Sequence, residues 1–97
     1  MVNEDPTVAL MQDRLQTLRP QRVEIHDESG EHVGHEGARG GGGHYRLLIV
    51  CDGFSGRPLV SRHRMVYEAV ADLMPGRIHA LAITAYTADE FEQAFHA

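Results

Sequence analysis

No hydrophobic core can be built from the stretch between Glu28 and Gly43. It holds seven of the ten glycines, including the run Gly40 to Gly43, with His32 and His35 among polar neighbours. A chain of 97 residues makes one domain, so the flanking segments must supply the whole core. Loops longer than about 12–15 residues in compact domains tend to be functional or disordered. Residues 28–43 therefore read as a long mobile loop joining two structured parts of a single domain over 1–97.

The flanks carry clear periodicities. Asp5-Pro6 reads as the opening of a first helix, with Asp5 at the N-cap and Pro6 at the first helical position. Val8, Met11, Leu15 and Leu18 then recur at helical spacing until Pro20 stops them. Val23 and Ile25 alternate with polar residues, as in a half-buried strand. His44 to Cys51 is a strongly apolar, central strand, and Asp52-Gly53 turns the chain. A helix is expected from about Pro58 to Met74, with Val66, Ala69, Val70 and Leu73 buried and a break near Arg62-His63-Arg64. Ile78 to Tyr86 reads as a strand apolar on both sides. Thr87 and Glu90 form a capping box for a last helix containing Phe91 and Phe95. The order is α-β-β-α-β-α, a small α/β (α+β) domain.

Charge narrows the function. The net charge is −5, and all nine basic residues are arginine. An acidic chain does not coat a nucleic-acid backbone wholesale, although a local patch can still bind one. Arg57, Arg62, His63 and Arg64 cluster at the start of a helix, where cations oppose the dipole. Such a cluster suits either an anionic partner or tertiary packing, one arginine pairing internally with Asp27 or Glu28 and the rest exposed. The N-terminus lacks the pattern of a signal peptide, and no apolar run reaches the ~20 residues that cross a bilayer. The expected setting is cytoplasmic, with no membrane partner.

Seven histidines are an excess for this length. Imidazole is the commonest metal-binding side chain, yet the chain has one cysteine, Cys51. An iron–sulfur cluster held within one chain takes four cysteines, or two cysteines and two histidines. A chain with one cysteine completes neither set. Its imidazoles can only finish a coordination sphere begun by a partner, and the favoured pair is His79, fixed on a strand, with His32 in the loop. The alternative is that these side chains are structural or solvated, which is the reading for His26, His96, His35 and His44. Cys51 reads as a small buried hydrophobe. No phosphate-binding loop or nucleophile elbow is present. Nothing builds an active site, so neither an enzyme nor a small-molecule substrate is expected.

Several segments taken together resemble the BolA family. They are Asp27-Glu28-Ser29-x-x-His32, His44-Tyr45 opening a strand, Phe54-x-Gly56-x-x-x-Val60-x-Arg62-His63-Arg64-x-x-Tyr67, Ile78-His79-Ala80-Leu81 and Tyr86-Thr87. The match is collinear over nearly the whole chain. The resemblance implies a class II KH-like fold, a three-stranded mixed sheet covered by helices on one side. It implies partnership with a monothiol glutaredoxin and a shared [2Fe–2S] cluster, whose other ligands come from the glutaredoxin cysteine and glutathione, in iron homeostasis or cluster trafficking. The family's strand histidine falls on His79 and its loop histidine on His32, with His35 as a competing ligand. Bacterial members are also described as transcriptional regulators of cell morphology and stress response, which would place DNA on the Arg57/Arg62/Arg64 region. The Gly-x-x-Gly with which KH domains grip a nucleic-acid backbone is not evident here.

Overall fold

The computed structural model describes residues 6–29 and 42–95. Asp5, His32, His35 and His96 lie outside the described residues.

The first helix, α1 (Thr7–Leu15), begins one residue later than expected. Pro6 stands before the helix and its carbonyl accepts from the amide of Leu10 at 2.9 Å. Met11 and Leu15 are fully buried, and Val8 and Leu18 pack at the edge of the core. After Leu15 the backbone tightens into a 3-10 turn, Gln16–Leu18, and ends at Arg19 in left-handed backbone, φ 54°. Pro20 disfavours right-handed helix at the residue before it, which is why the helix closes there.

Three strands follow the expected order: β1 (Arg22–Asp27), β2 (Gly43–Val50) and β3 (Ile78–Tyr86). β2 is central, antiparallel to β1 and parallel to β3. The register places Val23 beside Ile49, Ile25 beside Leu47, Tyr45 beside Leu81, Leu47 beside Ile83 and Ile49 beside Ala85. Residues paired this way share a face, so these side chains form one apolar surface. It packs against Met11, Leu15, Val66, Val70 and Leu73 in a single core cluster. Each fully buried Leu, Ile, Val or Met contributes about 1.5–3 kcal/mol relative to exposure.

α2 (Leu59–Ala69) supplies the crossover from β2 to β3 and is shorter than its sequence suggests. Arg62-His63-Arg64 lies inside one unbroken helix rather than at a break. At the other end Val70 leaves helical backbone, Ala71–Leu73 form a 3-10 turn, and Met74 is extended. Pro75 enforces that extension at Met74. Arg14 of α1 ties this turn down through Asp72, at 3.0 Å. The pair holds the Asp72 carboxyl below its ordinary pKa and the Arg14 guanidinium above it, chiefly through the shared hydrogen bond.

β3 is not apolar on both sides. Ile78, Leu81 and Ala85 point into the core, while Ala80, Ala82 and Thr84 are exposed. As an edge strand it has one neighbour, and alanine loses little when left in solvent. The capping box forms as expected: the Thr87 amide donates to Glu90 at 2.9 Å, and the Glu90 amide donates to the Thr87 hydroxyl at 3.2 Å. It opens α3 (Ala88–Phe95). Phe91 of α3 packs edge-on to Tyr86, and Arg22 lies over its ring. Tyr86 and Arg22 are the register partners of Val50, so these ring contacts set α3 against the last residue of β3 and the first of β1. None of the described helices is long and apolar enough to cross a membrane.

Candidate functional site at the two ends of the parallel strand pair

β2 and β3 run parallel, so their first residues lie together at one end of the sheet and their last residues at the other. The first end carries histidines and the second carries arginine.

At the first end the register slips. Gly43 pairs with Ile78, but the next residue, His44, pairs with Ala80. His79 is therefore the extra residue of a β-bulge, a device that re-aims a side chain. Ile78 turns inward, and His79 and Ala80 both face solvent. The bulge brings His79 against His44, with ring centroids 5.3 Å apart and ring planes inclined by 32°.

The backbone beneath this pair is held from several sides. The His44 amide donates to the Ser29 hydroxyl at 3.0 Å, and the His44 carbonyl accepts from the Glu28 amide at 2.8 Å. The Gly43 amide donates to the Arg77 carbonyl at 2.9 Å. Gly42 has φ 74°, and a Cβ there would lie 3.0 Å from the Gly76 carbonyl oxygen and 3.2 Å from the His79 Cβ. A Cβ on Gly43 would meet the Ser29 hydroxyl at 2.5 Å and the Tyr45 ring at 2.7 Å. Both glycines are required by this close approach. The glycines that look like loop filler in the sequence end in two that seat the histidine pair.

The one cysteine is not at this end. Cys51 follows the far end of β2, is 1% exposed, and its Sγ donates to the Leu18 carbonyl at 2.9 Å. Among the described residues no group of three or more His, Cys, Asp or Glu stands ready to enclose a metal ion. At this end the described residues set two imidazoles, His44 and His79, side by side. His79 is one of the two ligands anticipated from sequence. His44, read as structural or solvated, is the imidazole found beside it. His26 is exposed on β1 and paired with Arg46.

At the second end the arginine cluster divides. Arg62 is 6% exposed. Its Nη2 donates to Glu90 at 3.1 Å and its Nη1 to both Glu90 and the Ala85 carbonyl, while Nε donates to the Arg57 carbonyl at 2.8 Å. One arginine does pair internally, but with Glu90 of α3 and not with Asp27 or Glu28; Glu28 instead meets Arg46. The Arg62 guanidinium, with help from the Thr87 amide, pulls the Glu90 carboxyl down to a pKa of about 2. Arg62 is raised in turn, the hydrogen bond to Glu90 outweighing burial. This arginine joins α2, β3 and α3, with its guanidinium turned inward.

The others remain at the surface. Arg57 reaches the Gly53 carbonyl and Ser61 hydroxyl, His63 is half-exposed and Arg64 is exposed. Between Arg57 and Arg64 the first turn of α2 also exposes Leu59 and Val60, at 61% and 65%.

The family described as BolA-like protein matches residues 15–90. The chain is 41% identical over 78 residues to SufE-like protein 1, chloroplastic/mitochondrial, of Arabidopsis thaliana, a match that covers 75% of this chain and 21% of that protein. It is 35% identical over 75 residues to the DNA-binding transcriptional regulator BolA of Escherichia coli (strain K12), covering 77% of this chain and 69% of that one. Other plant and mammalian relatives are matched over 52–64% of their length. Among solved structures, BolA1 from Arabidopsis thaliana superposes with a TM-score of 0.73 at 35% identity, covering 93% of this chain and 97% of that one. Strand order, helix placement and the match over residues 15–90 agree: the chain belongs to the BolA-like family.

Proposed function

We propose that this protein is an adaptor that binds a monothiol glutaredoxin and completes, with imidazole, a [2Fe–2S] cluster whose thiolates come from the glutaredoxin cysteine and glutathione. His79 is the anchored donor. The family resemblance supplies His32, or His35, as the second. The observation that carries the proposal is a contrast of access: the one cysteine thiol is enclosed and bonded to Leu18, while His79 is presented outward by a bulge on an edge strand. A centre with two imidazoles in place of two thiolates is an established arrangement, and it raises the reduction potential of the cluster. The bound cluster supplies one-electron chemistry or is itself the cargo handed on.

Mixing the chain with a monothiol glutaredoxin, glutathione, iron and sulfide tests this. The chain alone is expected to be colourless and the mixture to absorb in the visible, with bands that weaken or shift in His79→Ala. Identical spectra for wild type and His79→Ala would defeat the ligand assignment.

A second reading is favoured by the exposed Arg57 and Arg64 and by relatives named as DNA-binding transcriptional regulators. In it, Arg57, His63 and Arg64 contact phosphate, and Arg62 takes no part because its guanidinium is held inside. Affinity for duplex DNA should then fall steeply with salt, and Arg64→Glu should abolish it. Binding indifferent to that reversal would remove this reading.

A further inference from the structure

We propose that α2 guards the outer edge of β3: Arg62 and Tyr67 hold outward-facing carbonyls of the strand and keep it from pairing with the β3 of a second copy of this chain.

The strand itself is suited to pairing. Ala80 to Tyr86 contains no charged residue, proline or glycine, and it lies beside β2 at the edge of the described sheet. Uncharged segments of about six or seven residues in such a position seed edge-to-edge association. Antiparallel pairing centred on Ile83 would set Ile83 opposite its own counterpart and Leu81 opposite the counterpart of Ala85. No like charges would face one another across that register.

The hydrogen bonds identify the groups such a pairing needs. Successive residues of a strand turn their main-chain N–H and C=O to opposite sides. The Tyr86 carbonyl accepts from the Cys51 amide at 2.9 Å, so Tyr86 faces β2, as do Thr84, Ala82 and Ala80 at every second place. The main-chain groups of Leu81, Ile83 and Ala85 therefore point to the outer edge. α2 takes the first and last of these carbonyls. The Tyr67 hydroxyl donates to Leu81 at 3.1 Å, and Arg62 Nη1 donates to Ala85 at 3.1 Å.

A second strand reaches those carbonyls only by displacing both donors. Arg62 is the harder to move, because it also bonds Glu90 and the Arg57 carbonyl. Pulled away from Glu90 and pressed against an apolar strand, its guanidinium would be a charge without its partner. Sheets protect their edges with charged side chains and with helices laid over them, and α2 supplies both.

The test removes the donors and reads self-association. Arg62→Met with Tyr67→Phe deletes both and keeps most of the side-chain volume. Sedimentation compares this double variant with wild type and with Met11→Ala, which opens a cavity in the core and leaves both donors in place. The double variant should dimerise with a Kd lower than that of wild type by on the order of tenfold or more, and Met11→Ala should match wild type. Amide exchange at Leu81, Ile83 and Ala85 should slow in the double variant as its concentration rises. A folded double variant no more associated than wild type would overturn the proposal, as would equal association of Met11→Ala. Should the double variant fail to fold, Tyr67→Phe alone decides, since it keeps the ring and Arg62. Slowing of Leu81 exchange with concentration is expected there, and its absence would overturn the proposal.

Discussion

At the start of β2 and β3 two imidazoles are set side by side, His79 exposed and His44 half-buried; at the far end of the same strands one side chain is enclosed and holds the backbone of its neighbours. His44 and His79 owe their positions to main-chain hydrogen bonds, a bulge and two obligatory glycines. Arg62 owes its position to Glu90, Ala85 and Arg57, and the fold depends on it. In sequence the arginine cluster is the more conspicuous of the two. The lesson is that a concentration of charge does not mark the accessible chemistry. Access is decided by helix phase and strand register.

That contrast is open to attack, most severely at Arg62. Arg62→Ala strands the Glu90 carboxylate and the Ala85 carbonyl, and is expected to cost about 2–3 kcal/mol, a fall in Tm on the order of 10–20 °C. Arg64→Ala, two residues on, should stay within about 0.5 kcal/mol. Equal effects in thermal melts would erase the distinction between the buried and the exposed arginine.

The histidine end is probed next by Gly43→Ala. Its Cβ would press on Ser29 and Tyr45 at less than van der Waals distance, for an expected loss of about 1–3 kcal/mol. The same variant should shift the NMR resonances of both imidazoles and leave those of the Arg62 guanidinium in place. Movement at both ends would show that they are not built independently.

Acid titration sharpens the comparison further. The folded pKa of Glu90, about 2, lies below its ordinary value of 4.5. Its contribution is thus complete above about pH 4.5 and fades as the pH falls toward 2. Glu90→Gln should flatten the stability profile across that window. A profile unchanged by the substitution would mean the Arg62–Glu90 pair contributes nothing measurable. The smallest effect is expected for Leu59→Ser and Val60→Ser, within about 0.5 kcal/mol by denaturant midpoint, because both side chains are already in solvent.

Much of this was legible beforehand. The strand alternation of β1, the central place of β2, the Thr87–Glu90 box and the burial of Cys51 all follow from local pattern. Arg62 carried a signal that its charge obscured: it lies four residues before Val66 and eight before Val70, on the buried stripe of α2. Its partner Glu90 sits in another helix, and no local rule connects the two. The His44–His79 contact was illegible for a different reason. It depends on the register of a parallel pair and on one extra residue in β3, and neither leaves a trace in spacing along the chain. β3 was misjudged because alanine in a strand says little about which face it occupies.

The enclosure of Cys51 has a practical outcome. With its sulfur bonded to the Leu18 carbonyl and shut away from solvent, it lacks the exposure that oxidation and alkylation require. A cysteine introduced at an exposed position, such as Thr84 on the outer face of β3, would be the one reactive thiol on the molecule. A spectroscopic tag could then be attached there without first deleting the native residue.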